Sequence, residues 1–156
     1  MTRRRALATL AALPVLYAAG RAWPARAEAP TLYVAKSPTC GCCSAWVERM
    51  RAAGFNASVQ DVSNAWLYQM KARLGVTEAL ASCHTARIDG YVIEGHVPAA
   101  DVARLLRERP DALGLTVPGM PIGSPGMEMG DHVDAYDVLL IGRDGATDVF
   151  ARYGRG

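Results

Sequence analysis

Residues 31–53 read TLYVAKSPTCGCCSAWVERMRAA. A β-rich run, Thr31 to Ala35, leads through Pro38 into three cysteines, Cys40, Cys42 and Cys43. From Ser44 to Ala53 the apolar residues Trp46, Val47 and Met50 recur at helical spacing, and Gly54 supplies the glycine that commonly ends a last turn. The stretch predicts a strand, a cysteine-bearing junction and a helix, in that order.

The chain continues in the same alternation. Phe55 to Val62 reads as a second strand, and Ala65 to Leu74 as a second helix closed by Gly75. Thr85 to Ile88 and Tyr91 to Glu94 read as strands joined by an Asp89-Gly90 hairpin turn. Pro98 opens a third helix with Val102, Leu105 and Leu106 on one face, ending before Pro110. Val117 to Gly130 is a loop rich in Gly, Pro and Met. Tyr136 to Ile141 and Thr147 to Tyr153 then form a terminal hairpin around Asp144-Gly145. The order β-α-β-α-β-β-α, with cysteines at the first strand-to-helix junction, is that of a thioredoxin-like α/β domain. A central mixed sheet flanked by helices is expected, with the Met/Gly/Pro-rich loop and the C-terminal hairpin added to it.

A length of 156 residues suits one domain, and 51% hydrophobic with 21% charged residues excludes wholesale disorder. The net charge of +2 is unevenly spread: residues 1–27 carry five arginines and no acid, leaving 12 basic against 15 acidic residues beyond them. A basic nucleic-acid footprint is thereby excluded. Arg3-Arg4-Arg5, the 15-residue apolar run Ala6 to Gly20 and Ala25-Arg26-Ala27 have the order of a cleavable signal peptide. Spanning a bilayer takes about 20 apolar residues, and Arg21 closes this run too early for a stable membrane anchor. Thr2-Arg3-Arg4-Arg5-Ala6-Leu7 resembles a twin-arginine motif, although Ala6 departs from its bulky preference, so Sec export stays open. The expectation is a signal peptide at 1–27 and a periplasmic domain at 28–156, beginning at Glu28.

Cys40-Gly41-Cys42-Cys43 lies just before or on the first turn of a helix, where unpaired N–H groups and the helix dipole lower a thiol's pKa. Thiolates are the nucleophiles of disulfide exchange and soft ligands for Cu(I) or Zn(II). Two parses are open. Cys40 and Cys43 form a C-x-x-C of redox type; all three form a C-x-C-C, more than a dithiol exchanger needs. Adjacent Cys42 and Cys43 cannot easily chelate one tetrahedral ion together, but bridging thiolates suit a cluster of several soft ions. A structural disulfide with a spare thiol is the plain alternative in an oxidising compartment.

Cys83-His84 falls just before the third strand, at the corner that faces the cysteine helix in a thioredoxin-like order and where thioredoxins carry a cis-proline. A fourth sulfur and an imidazole would converge there on the first three; the alternative is a buried free cysteine beside an exposed histidine. Met120, Met127 and Met129 in the late loop offer thioethers that favour Cu(I), or fill gaps over the core. Met50 and Met70, at helical spacing, read as core. His96 reads equally as an outer ligand or a surface residue. His132, near Asp131 and Asp134, reads better as part of a solvated acidic turn than as a divalent-ion site.

Four separated motifs, Lys36-Ser37-Pro38-Thr39-Cys40-Gly41-Cys42-Cys43, Cys83-His84-Thr85, Tyr91-Val92-Ile93-Glu94-Gly95-His96-Val97-Pro98-Ala99 and Val117-Pro118-Gly119-Met120-Pro121, resemble the CopG-type copper-resistance proteins over residues 30–153. The resemblance implies a thioredoxin-like fold, copper bound by the C-x-C-C cysteines and Cys83 as a multinuclear cluster, and a periplasmic role in copper tolerance. It leaves storage, transfer and redox conversion open. The combined expectation is a Cu(I)-binding protein with Cys40, Cys42, Cys43 and Cys83 as thiolate ligands. His84, Met120, Met127 and Met129 would complete or shield the site, and other periplasmic copper-handling proteins would be its partners. The alternatives are a thiol–disulfide or copper oxidoreductase in which Cys40 and Cys43 cycle, and a structural zinc site of Cys₃His type.

Overall fold

The computed structural model describes residues 30–154. The signal-peptide reading and the expected start at Glu28 fall outside the described residues. In chain order the elements are β1 (Leu32–Lys36), α1 (Gly41–Ala52), β2 (Ala57–Asp61), α2 (Asn64–Arg73), a short 3-10 turn (Glu78–Leu80), β3 (His84–Ile88), β4 (Tyr91–Glu94), α3 (Ala99–Glu108), β5 (Gly114–Thr116), β6 (Tyr136–Ile141) and β7 (Thr147–Tyr153). Among the described residues, no helix is long and apolar enough to cross a membrane.

The strands form one mixed sheet of seven in the order β2-β1-β3-β4-β5-β6-β7. β1 runs parallel to β2 and antiparallel to β3; β3 and β4 form an antiparallel hairpin. Its turn residues, Asp89 and Gly90, have φ of +48° and +87°, the left-handed pair that a twisted two-residue hairpin requires. β5 then joins β4 in parallel and carries the β6–β7 hairpin on its other side. The terminal hairpin is therefore an extension of the sheet rather than an appendage. β5 and the 3-10 turn have no counterpart in the sequence prediction. Each has only three residues, too few to display a period.

Buried residues of α1 fall at Cys43, Trp46, Val47 and Met50, the spacing of a helix with one face on a core. Trp46, Val47 and Met50 belong to the same apolar cluster as Leu32 and Val34 of β1, Ala86 and Ile88 of β3, Ile93 of β4, Leu115 of β5 and Val102 and Leu105 of α3. Trp46 is fully buried and donates its indole N–H to the Val97 carbonyl at 2.9 Å. This ties the cysteine helix to the segment that follows β4. On α2, Ser63 caps the first turn by accepting from the Trp66 N–H, and Leu67 and Lys71 point inward.

Candidate metal centre

Cys40 is the N-cap residue of α1, its backbone extended and its side chain free of any capping bond. Cys42 and Cys43 follow in the first turn. Register explains how Cys83 reaches them: Lys36, the last residue of β1, pairs with His84, the first of β3. The loop carrying Cys40 and the residue preceding β3 thus leave the sheet from the same end. All four sulfurs lie within 4.8 Å of one another. Cys42 Sγ is 3.5 Å from Cys40 Sγ and 3.8 Å from Cys83 Sγ, and Cys43 Sγ is 3.7 Å from the Cys83 carbonyl oxygen. Two thiolates bound to one ion at about 2.3 Å with a tetrahedral angle stand about 3.8 Å apart, so the observed spacings suit shared coordination. Cys40 and Cys43 are joined in a disulfide with Cα atoms 5.4 Å apart, while Cys42 and Cys83 keep free thiols.

Two imidazoles adjoin the sulfurs. Cys83 Sγ lies 3.4 Å from His84 Nδ1 and 3.1 Å from His96 Nε2, and both histidines are fully buried. The three donor atoms again lie within 4.8 Å of one another. His96 Nδ1 is 2.9 Å from the Pro125 carbonyl. Because a carbonyl only accepts, Nδ1 must carry the proton, which leaves the Nε2 lone pair facing Cys83. His84 Nε2 is buried without a hydrogen-bond partner. Burial holds His84 well below the ordinary histidine pKa, with His96 and Lys71 acting in the same direction, and burial lowers His96 too. Both rings are therefore neutral, the form a metal needs. Burial, with Cys42 second, pushes the Cys83 thiol up to about 12. An incoming soft cation must displace that proton.

The fold has solved counterparts. A structure named copper resistance protein CopG, form 2, shares 46% sequence identity with this chain over 81% of it and 100% of the other chain, with a TM-score of 0.76. The chain belongs to the CopG copper-resistance protein family. Form 1 of CopG matches at 47% identity, covering 81% of this chain and 98% of its own, with a TM-score of 0.75. Residues 80–127, which include Cys83, His84 and His96, also match a family described as a protein of unknown function, DUF411. No protein of curated function matches. The CopG resemblance drawn from four motifs in the sequence therefore holds.

Of the residues singled out by sequence, the four cysteines and His84 converge. Met120 and Met129 are exposed, at 53% and 64%, and Met127 is half-buried. Their loop crosses the first turns of α1. A Cβ on Gly126 would stand 2.7 Å from both Cys42 O and Trp46 N, and Glu128 pairs with Arg49 of α1 at 3.1 Å. His132 is solvent-facing and paired with Asp134 at 3.0 Å, as a solvated acidic turn requires. His96 is settled in the interior, at the cysteines. A further group went unread in the sequence. Lys71 and Glu94, both buried, are bonded to each other and to Thr85, directly behind Cys83 and His84. Burial raises the Glu94 carboxyl, and the Lys71 ammonium and the hydrogen bonds it accepts pull it back down.

Proposed function

We propose that this chain is a periplasmic copper-resistance protein that holds Cu(I) through the thiolates of Cys40, Cys42, Cys43 and Cys83. His84 and His96 supply imidazole donors, and Met120, Met127 and Met129 shield or feed the site from the loop above it. The observation that carries this reading is the convergence of four sulfurs within 4.8 Å from segments forty positions apart in the chain. The copper-resistance name of the solved relatives supports the choice of metal. Adjacent Cys42 and Cys43 suit bridging between ions better than chelation of one, which favours more than one copper per chain. The strand order β2-β1-β3-β4, with β1 parallel to β2 and antiparallel to β3, supports the thioredoxin-like description of the first four strands. The basic, apolar and small-residue order of the first 27 residues supports export.

A second reading is favoured by one observation, the Cys40–Cys43 disulfide beside two free thiols. Taking up two electrons and two protons converts it to the dithiol, so this pair can cycle as in a thiol–disulfide or copper oxidoreductase. All four cysteines can act as thiolate ligands only after that reduction.

Metal analysis of protein purified anaerobically and supplied with copper or zinc separates the readings. More than one copper per chain, with all four thiols protected from alkylation, is the expected result. One tightly held zinc and no copper preference would overturn it in favour of a structural site. Dithiol exchange at full rate without metal, with no copper retained, would make the oxidoreductase the function.

A further inference from the structure

Behind the metal centre lies a buried charged network whose geometry does more than fill space. Glu94, the last residue of β4, is fully buried. Its Oε1 accepts the Ser82 backbone N–H at 2.7 Å and a bond from the Lys71 ammonium. Its Oε2 accepts the Thr85 hydroxyl at 2.6 Å, and that hydroxyl in turn accepts from Lys71 at 2.7 Å. One carboxylate thus grips the residue before Cys83 and the residue after His84, and itself sits two positions before His96.

We propose that Glu94, clamped by Lys71, is a positioning residue for the metal centre, fixing the backbone that presents Cys83, His84 and His96. The inference rests on reading those residues as copper ligands. Stability alone does not account for the pair, because a buried ion pair is commonly replaced by well-packed apolar residues without loss. An apolar pair would fill the volume, but it could not hold the Ser82 N–H. Residues 81–83 lie between the 3-10 turn and β3, outside any regular element, so no ladder fixes them. Ser82 adds a second tether through its hydroxyl, which donates to the Gly119 carbonyl. Hydrogen bonds that orient metal ligands from the second layer typically change metal affinity 10–100-fold when removed.

Three variants test this. Lys71→Met with Glu94→Leu removes the network without leaving an unpaired charge. Glu94→Asp keeps the charge but draws the carboxylate one methylene back from the Ser82 N–H. Glu94→Gln keeps an oxygen within reach of it. Three quantities are measured: thermal midpoint, Cu(I) affinity by competition with a colorimetric Cu(I) chelator, and the alkylation rates of Cys83 and Cys42 in reduced, metal-free protein. The double variant and Glu94→Asp should lose about 10–100-fold in Cu(I) affinity and alkylate faster at Cys83 but not at Cys42, whatever their melting temperatures. Glu94→Gln leaves Lys71 without its counter-ion and should melt lower, but while folded it should stay close to the parent in Cu(I) affinity and in Cys83 alkylation. Parent-like affinity and parent-like Cys83 alkylation in a folded double variant would overturn the proposal. Should the double variant not fold, Glu94→Asp decides on the same two readouts. If the parent binds no copper, the copper reading fails by itself, and Cys83 alkylation still judges the positioning role.

Discussion

Replacing Gly126 by alanine tests whether the late loop is a fixed cover of the metal centre. Gly126 has φ of +88°, and an added Cβ would stand 2.7 Å from Cys42 O, 2.7 Å from Trp46 N and 3.1 Å from Trp46 Cα. All three are backbone atoms of α1, which cannot swing aside as a side chain can, so the loop must lift. The left-handed conformation costs an L-residue about 1–2 kcal/mol. Lifting also breaks the His96–Pro125 bond, worth about 0.5–1.5 kcal/mol. The exposed Arg49–Glu128 pair adds little. The total is about 2–3 kcal/mol, which for a domain of this size lowers the melting midpoint by roughly 5–15 °C. Freed from Pro125, His96 can rotate its ring, so Cu(I) affinity should fall as well. Thermal unfolding by circular dichroism and chelator competition measure the two effects. A variant that melts within about 2 °C of the parent and binds copper equally would refute the account of the loop as a cover held against α1.

Three further outcomes are expected. His84 and His96 are held neutral in the native state, so below about pH 6.5 the unfolded chain takes up protons that the native one refuses, and stability falls with pH. Each histidine contributes up to about 1.4 kcal/mol per pH unit; urea titrations of metal-free protein between pH 7.5 and 5.5 should show the decline, reduced in His96→Gln, and a flat profile would contradict it. Changing Cys40, Cys42 or Cys43 to serine, a hard and poor Cu(I) ligand, should lower the copper stoichiometry; if Cys42→Ser loads like the parent, the C-x-C-C reading collapses to C-x-x-C and the oxidoreductase moves ahead. Met120→Ala, and Met127→Ala with Met129→Ala, should weaken Cu(I) binding with a stability loss well short of the ~2–5 kcal/mol of a buried Met→Ala change, since Met120 and Met129 are exposed; a loss in that range with unchanged affinity would make them packing residues.

Much of the centre was legible because its chemistry is written locally. Three cysteines between a β-rich run and a helical period can only sit at a strand-to-helix junction, and the element order carried Cys83 to the same corner. His96 was not read as a ligand, although the hairpin held the clue. With the turn at Asp89-Gly90, Thr85 faces Glu94, and two further positions on each side, just past the ends of the strands, bring Cys83 beside His96. Judged by its sequence neighbours alone, His96 stayed ambiguous. Lys71 and Glu94 escaped for a different reason: charged residues in a helix and at a strand end ordinarily face water, and only tertiary packing turns these two inward. β5 escaped because Gly114-Leu115-Thr116 is recruited by its neighbours in the sheet rather than by any pattern of its own.

The donor atoms of the centre come from residue 40, from residues 42 and 43, from residues 83 and 84, and from residue 96, and only the paired ends of β1, β3 and β4 gather them. In the unfolded chain Cys40, Cys42 and Cys43 stay neighbours and can still take up metal, but Cys83, His84 and His96 lie forty or more positions further on, so copper held by the gathered set binds the native state more tightly than the unfolded one. That difference adds to folding free energy, at most about 4 kcal/mol when free metal stands a thousandfold above its dissociation constant, less what the unfolded cysteines bind. Susceptibility to proteases follows the population of open forms. The lifetime of the protein would then lengthen with the metal supply, and its abundance would register copper without any change in its synthesis.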